Sequence, residues 1–166
     1  ERNVAEIMEY IFAALNHIHA SGICHRDLKP ENILFVDKND DSSLKLIDFG
    51  LGKNTNNIND KGSDFVGSPE YVAPEILNGG FDIKCDIWSA GVIMYSLLSG
   101  QMPFKGKDRD EIFSEIKKEN VCFPPKCKKF SNFFLKLKKF IFRLGKNQPL
   151  LKRPNLKHAY RFQKKI

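Results

Sequence analysis

The run His25-Arg26-Asp27-Leu28-Lys29-Pro30-Glu31-Asn32 constrains this chain more than any other feature. Eight residues carry two acids, two bases, a histidine and an amide, with a proline among them. So dense a polar segment reads as a loop, and a functional loop needs a rigid scaffold on either side. The flanks supply one. Before it, Val4, Ile7, Met8, Ile11, Phe12, Leu15 and Ile18 recur every three or four residues, the stripe of an amphipathic helix that ends near Ala20-Ser21-Gly22. After it, Ile33-Leu34-Phe35-Val36 predicts a short buried strand, Asp37 to Ser43 a polar turn, and Leu44-Lys45-Leu46-Ile47 a second strand, together a hairpin.

Further along, residues 50–72 hold Gly50, Gly52, Gly62, Gly67 and Pro69 and predict a long mobile loop. Ile83 to Leu98 is apolar nearly all round apart from Asp86 and Ser89, the pattern of a buried helix. Asp110 to Lys118 predicts an amphipathic helix, and Phe130 to Leu144 and Asn155 to Phe162 two terminal ones. The expected fold is mainly α with one small β-hairpin. With 166 residues the chain allows one domain and a core burying roughly 70% of the unfolded surface.

Charge is split along the chain. Residues 1–100 carry 8 basic and 15 acidic side chains, residues 101–166 carry 19 and 5, and nothing acidic follows Glu119. A basic C-terminal portion can serve nucleic acid or an anionic surface. No nucleic-acid module accompanies it, and Phe130, Phe133, Phe134, Phe140 and Phe142 are spaced as a buried helix face, so no nucleic-acid partner is expected. No stretch reaches the roughly 20 apolar residues of a membrane span. The start, Glu1-Arg2-Asn3-Val4, lacks Met and a secretory pattern, which suggests a piece of a longer cytoplasmic or nuclear protein. Cys24 and Cys85 read as small buried residues, and Cys122 and Cys127 lack the second pair that a zinc site wants.

Four segments carry the chemistry: His25 to Asn32, Asp48-Phe49-Gly50, Ala73-Pro74-Glu75, and Asp86-Ile87-Trp88-Ser89-Ala90-Gly91. Two carboxylates, a lysine and an amide on loops beside a hairpin suit a magnesium–phosphate site, because Mg²⁺ prefers oxygen ligands and phosphoryl transfer needs positioning and charge neutralisation. In this order the segments resemble the eukaryotic protein kinases, and specifically the large, helical C-terminal lobe.

The resemblance implies roles. Asp27 would be the base that accepts the proton of a substrate Ser or Thr hydroxyl, and Lys29 would contact the γ-phosphate of ATP. Asn32 and Asp48 match the Mg²⁺-binding positions. His25 and Phe49 match a packing pair under the metal loop, and Asp86 the buried acid that holds the catalytic-loop backbone. Leu34 falls at the apolar floor beneath adenine. Glu31 is a candidate for binding a basic side chain of the protein substrate, although the family's second acidic candidate is Ser96 here. Ser68 occupies the hydroxyl position of the loop facing the substrate; an ordinary turn serine before Pro69 is the alternative. Glu75 would pair with an arginine near the chain end, with Arg153 the best candidate. Arg26 marks kinases whose long loop is ordered by negative charge, which phosphate on Thr55 or Ser63, or the carboxylates of Asp60 and Asp64, would supply.

Phe35 to Ile47, Gly67 to Glu75 and Gly91 to Ile116 are similar to calcium/calmodulin-dependent and calcium-dependent protein kinases. Asp37-x-Asn39-x-Asp41-Ser42, ending at Asp48, approximates a calcium loop. It has Ser42 where that loop wants Gly and Asp48 where it wants Glu, and strands flank it rather than helices. The sequence holds no Gly-x-Gly-x-x-Gly loop and no strand bearing the phosphate-pairing lysine. Residues 1–166 are therefore expected to be a partial kinase domain that works with an N-terminal lobe, or else a truncated, non-catalytic interaction module.

Overall fold

The computed structural model describes residues 2–37, 40–55, 67–80 and 82–121. Helix α1 (Arg2–Ala20) follows from its stripe: Met8, Ile11 and Leu15 are buried, with Val4, Ile7, Phe12 and Ile18 packed at their edges. Gly22 ends it with φ 72, a left-handed bend that costs glycine little, and its N–H donates to the His19 carbonyl at 2.9 Å. Helix α3 (Lys84–Ser99) contributes to each hydrophobic cluster of the described residues. Ala90, Ile93 and Met94 pack on α1 through Leu28, while Val92, on another side of α3, joins a second cluster with Val72, Phe104 and Ile116. A helix that meets neighbours on several sides has to be apolar nearly all round. Gly100 ends it with φ 69.

Helix α4 (Arg109–Lys118) starts where Asp108 accepts a hydrogen bond from the Glu111 N–H at 2.9 Å. Its Ile116 is fully buried. Trp88 of α3 stacks on Phe104 with ring centroids 5.7 Å apart, joining this cluster to the core. Among the described residues no helix is long and apolar enough to cross a membrane.

Among the described residues two small antiparallel sheets complete the frame. Strand β1 (Ile23–Cys24) pairs with β4 (Lys53–Asn54), and β2 (Ile33–Asp37) pairs with β3 (Asp40–Leu46). In the hairpin Ile33 faces Leu46 and Phe35 faces Leu44, with an irregularity between Phe35 and Asp37. Strand β2 leads into the calcium-loop-like run and β3 (Asp40–Leu46) occupies its middle, which excludes the helix–loop–helix frame of such loops.

Several expectations need correction. Asp40 to Ser43 belong to β3 rather than to a polar turn, because backbone pairing with β2 outweighs their weak strand propensity. The run Ile33 to Val36 is not buried: Leu34, Phe35 and Val36 are 49%, 47% and 54% exposed. Ile33 and its cross-strand partner Leu46 pack against the α1 cluster, and beyond that pair both faces of β2 are open to water. Residues 50–72 are not wholly without structure. Lys53–Asn54 pair with β1, and Pro69–Tyr71 form a 3-10 turn. A short helix α2 (Pro74–Leu77) follows, with its proline in the first turn, where a missing N–H costs nothing. The terminal helices expected over 130–144 and 155–162, and Cys122 and Cys127, lie outside the described residues.

Candidate active site

The polar loop between β1 and β2 is held from beneath by α3. Asp86 is 1% exposed and accepts hydrogen bonds from the backbone N–H of His25 at 2.8 Å and of Arg26 at 2.9 Å. Its Oδ2 also takes the His19 Nε2 contact at 2.7 Å. Arg26 has φ 69, a left-handed conformation that costs a non-glycine residue about 1–3 kcal/mol. The two N–H donations to one carboxylate hold that bend in place. Burial pushes the Asp86 carboxyl up, but the His19 contact and the two backbone N–H groups outweigh it and hold the group below the usual carboxylate range.

Asp27 is the hub of the next layer. Its Oδ2 meets Lys29 Nζ at 2.8 Å. Its Oδ1 accepts from the Ser68 N–H at 3.1 Å and from the Ser68 hydroxyl at 3.2 Å. Lys29 Nζ in turn donates to Ser68 Oγ at 3.1 Å. Asn32, 5% exposed, donates its amide N–H to the Asp27 carbonyl at 2.8 Å and to Oδ2 at 3.2 Å. Burial raises the Asp27 carboxyl, and Lys29 with the two Ser68 hydrogen bonds overcomes that and lowers it. Asp27 is therefore a carboxylate at neutral pH, able to accept a proton. Lys29 is pushed up, first by its hydrogen bond to Asp27, against a smaller loss from burial.

The second loop comes to the same place. Asp48 has φ 61 and takes a hydrogen bond from the Gly50 N–H at 3.2 Å, a local Asx turn. Its charge acts on Lys29 along with Asp27 and Glu31, which sets the three acids around one ammonium. The Ile47 N–H donates to the Asn32 carbonyl at 3.0 Å and ties the loops together. His25, fully buried, donates from Nε2 to the Ile47 carbonyl at 3.0 Å, while its Nδ1 faces the Asp27 N–H at 3.4 Å. Phe49 lies against the His25 ring with centroids 4.8 Å apart. With its nitrogen spent on Asp27, Asn32 offers its side-chain oxygen to a cation, and Asp48 offers carboxylate oxygens. This hard-oxygen donor set fits Mg²⁺.

Gly67 closes the site. It has φ 102, and a Cβ added there would meet the Arg26 carbonyl at 2.7 Å and Asp27 Oδ1 at 3.5 Å. Only glycine lets the backbone pass this close to the catalytic loop. Gly67→Ala is expected to displace Ser68 from Asp27 and to cost about 1–3 kcal/mol. Chemical denaturation checks this, and an unchanged midpoint would refute the close approach.

Other candidates sit around this hub. Glu31 is exposed, and with Glu70 its charge raises the Tyr71 phenol, after the larger effect of burial. Leu34 stands exposed on β2. Thr55 donates both its N–H, at 2.7 Å, and its hydroxyl, at 3.0 Å, to the Gly22 carbonyl. Glu75 is half-buried in α2, and burial pushes its carboxyl above the usual range. Ser63, Asp60, Asp64 and Arg153 lie outside the described residues.

Because Lys29 is the chief group holding Asp27 down, Lys29→Met is expected to shift the Asp27 titration to higher pH. Carboxyl-resolved NMR reads that shift, and no movement would count against the pairing. A lowered folded-state value also means that Asp27 contributes stability above the usual carboxylate range and loses it as pH falls through the folded-state value.

Reasoning from the sequence missed His19 and Gly67. His19 had no sequence signal, since its partner is 67 residues away. Gly67 had one, a glycine directly before Ser68-Pro69, but glycine there also suits an ordinary turn.

A family model described as the protein kinase domain matches residues 1–163. Calcium-dependent protein kinase 5 of Plasmodium berghei is 53% identical over 124 residues, 74% of this chain and 22% of the relative. Calcium-dependent protein kinase 3 of the same organism is 47% identical over 137 residues, 82% of this chain and 24% of the relative. Calcium-dependent protein kinase 25 of Arabidopsis thaliana is 49% identical over 119 residues, 70% of this chain and 22% of the relative. The chain thus spans about a quarter or less of the length of the curated relatives it matches.

Proposed function

The chain belongs to the protein kinase family, and from that premise we propose that it carries the catalytic lobe of a Ser/Thr protein kinase of the calcium-dependent type. The reaction is transfer of the γ-phosphoryl group of ATP to a protein Ser or Thr hydroxyl, performed by a longer protein that contributes an N-terminal lobe. The observation that carries this reading is the cluster in which Asp27, Lys29, Asn32 and Ser68 share one hydrogen-bonded network, with Asp48 acting on the same lysine.

Asp27 accepts the proton of the substrate hydroxyl as that oxygen attacks. Lys29, already oriented by Asp27 and Ser68, meets the negative charge of the transferred group. Asn32 and Asp48 would hold Mg²⁺, which would offset the charge of the phosphoryl group that ATP supplies. Leu34 offers an apolar surface beneath the adenine, and Glu31 a partner for a basic side chain of the substrate. Arg26 answers negative charge on the segment that contains Thr55 and Ser63. Glu75 pairs with a cation from the C-terminal portion, Arg153 being the candidate. Calcium dependence, which the relatives' names state for them, would be borne by parts of the longer protein, since β3 (Asp40–Leu46) runs through the segment that approximates a calcium loop.

The 166-residue chain alone is expected to give no measurable phosphorylation of a Ser/Thr peptide with Mg-ATP, because half of the nucleotide cleft is contributed from elsewhere. Radiolabel transfer tests this. Robust activity that disappears in Asp27→Asn would overturn the two-lobe requirement while supporting the chemistry.

A further inference from the structure

Cys24 ends β1, directly before the catalytic loop, and Cys85 directly precedes Asp86 on α3. Their Sγ atoms are 3.3 Å apart across a separation of 61 residues, and the two residues are 0% and 5% exposed. None of the catalytic roles uses either thiol. We propose that Cys24 and Cys85 form an oxidisable dithiol that closes to a disulfide, stapling the base of the catalytic loop to α3.

The geometry distinguishes this from packing alone. Two buried sulfurs already in contact need to close by little more than 1 Å to reach bonding distance. Their flanking backbone is held by the same anchor, because Asp86, next to Cys85, binds the N–H of His25, next to Cys24. A metal is the poorer occupant of this cluster, although Cys24, Cys85 and Asp86 place ligand atoms within 4.8 Å of one another. Both Asp86 oxygens already accept hydrogen bonds from His19, His25 and Arg26, and a structural zinc wants four ligands.

The oxidant is hydrogen peroxide. One thiol, as thiolate, attacks a peroxide oxygen, the O–O bond breaks, and a sulfenic acid and water form. The second thiol attacks that sulfur, the S–S bond forms, and a second water leaves. Two thiols thus lose two electrons and two protons to one peroxide. Cys85 is the attacking residue, because it lines the cavity shared with Asp27, Ser68 and Tyr71, whereas Cys24 is sealed. The hydrogen bond from Cys24 favours the Cys85 thiolate, but burial and the Asp86 charge raise the group overall. Cys24 is raised as well, first by its hydrogen bond to Cys85 and then by burial. Oxidation is therefore slow, and the product is a structural staple rather than a fast peroxide sensor.

The test uses the full chain, incubated with hydrogen peroxide, alkylated under denaturing conditions and digested without reductant. The expected result is a Cys24–Cys85 linked peptide lighter by two hydrogens than its reduced parts. A rise in Tm of roughly 10 °C should accompany it, since the bond closes a loop of about 60 residues. Dithiothreitol should reverse both changes, and Cys85→Ala should abolish both. If both thiols stay fully alkylatable, if Cys85 stops at sulfinic or sulfonic acid, or if either residue links instead to Cys122 or Cys127, the proposal fails. Mass mapping of the unmodified sequence keeps the test decisive even if the alanine variant folds poorly.

Discussion

Asp27→Asn, made in the full-length protein that carries this segment, is expected to lower kcat by about 10²–10⁴-fold. The amide cannot take the proton of an attacking hydroxyl. It also turns an N–H group into a pocket where Lys29 and the Asn32 amide already donate. Two donors then face a third, so Lys29 loses its orientation as well as its counter-charge. Steady-state kinetics with a Ser/Thr peptide measures the effect, and KM for ATP should move far less than kcat. A fall in kcat of less than tenfold would remove Asp27 from the role of base.

Asp86→Ala should produce the largest loss of stability, about 3–5 kcal/mol. It removes the acceptor for two buried backbone N–H groups and for His19, and leaves Arg26 in its left-handed bend without the contacts that hold it. Against the 5–15 kcal/mol of an ordinary domain, that is a large share. Urea denaturation checks the magnitude. The wild type should also lose stability in acid through this group. Its folded-state carboxyl holds a proton less tightly than the unfolded one, so the contribution is complete above the usual carboxylate range and is lost as pH falls through the folded-state value. The alanine variant should lack that component of the acid transition. A change below 1 kcal/mol would show that the loop does not depend on this anchor.

The strong periodicities were legible. Met8, Ile11 and Leu15 announced α1, and the all-round apolar run announced α3 as a helix with several neighbours. The chemical residues were legible for another reason: Asp27, Lys29, Asn32 and Asp48 stand in segments whose residues and order resemble the protein kinases. Whatever depended on distant pairing was hidden. Lys53–Asn54 form a strand only because Ile23–Cys24 lie beside them, and two-residue strands leave no period to read. The exposure of Leu34, Phe35 and Val36 was hidden too, since a short apolar run looks the same whether its cover is present or not. The contact between Cys24 and Cys85 needed the fold itself, because the Asp86 anchor and the cluster with Ala73 bring positions 61 apart in sequence together.

The exposed strand β2 also bears on how solutions of this segment behave. Leu34, Phe35 and Val36, with Phe49 and Leu51 also exposed, leave hydrocarbon in contact with water that would be released wherever two copies met. A formal net charge of +7 keeps copies apart in dilute buffer. That repulsion reaches about 10 Å at 0.1 M salt and only about 3 Å at 1 M, so colloidal stability is set by ionic strength and fails first where lysine repulsion is screened.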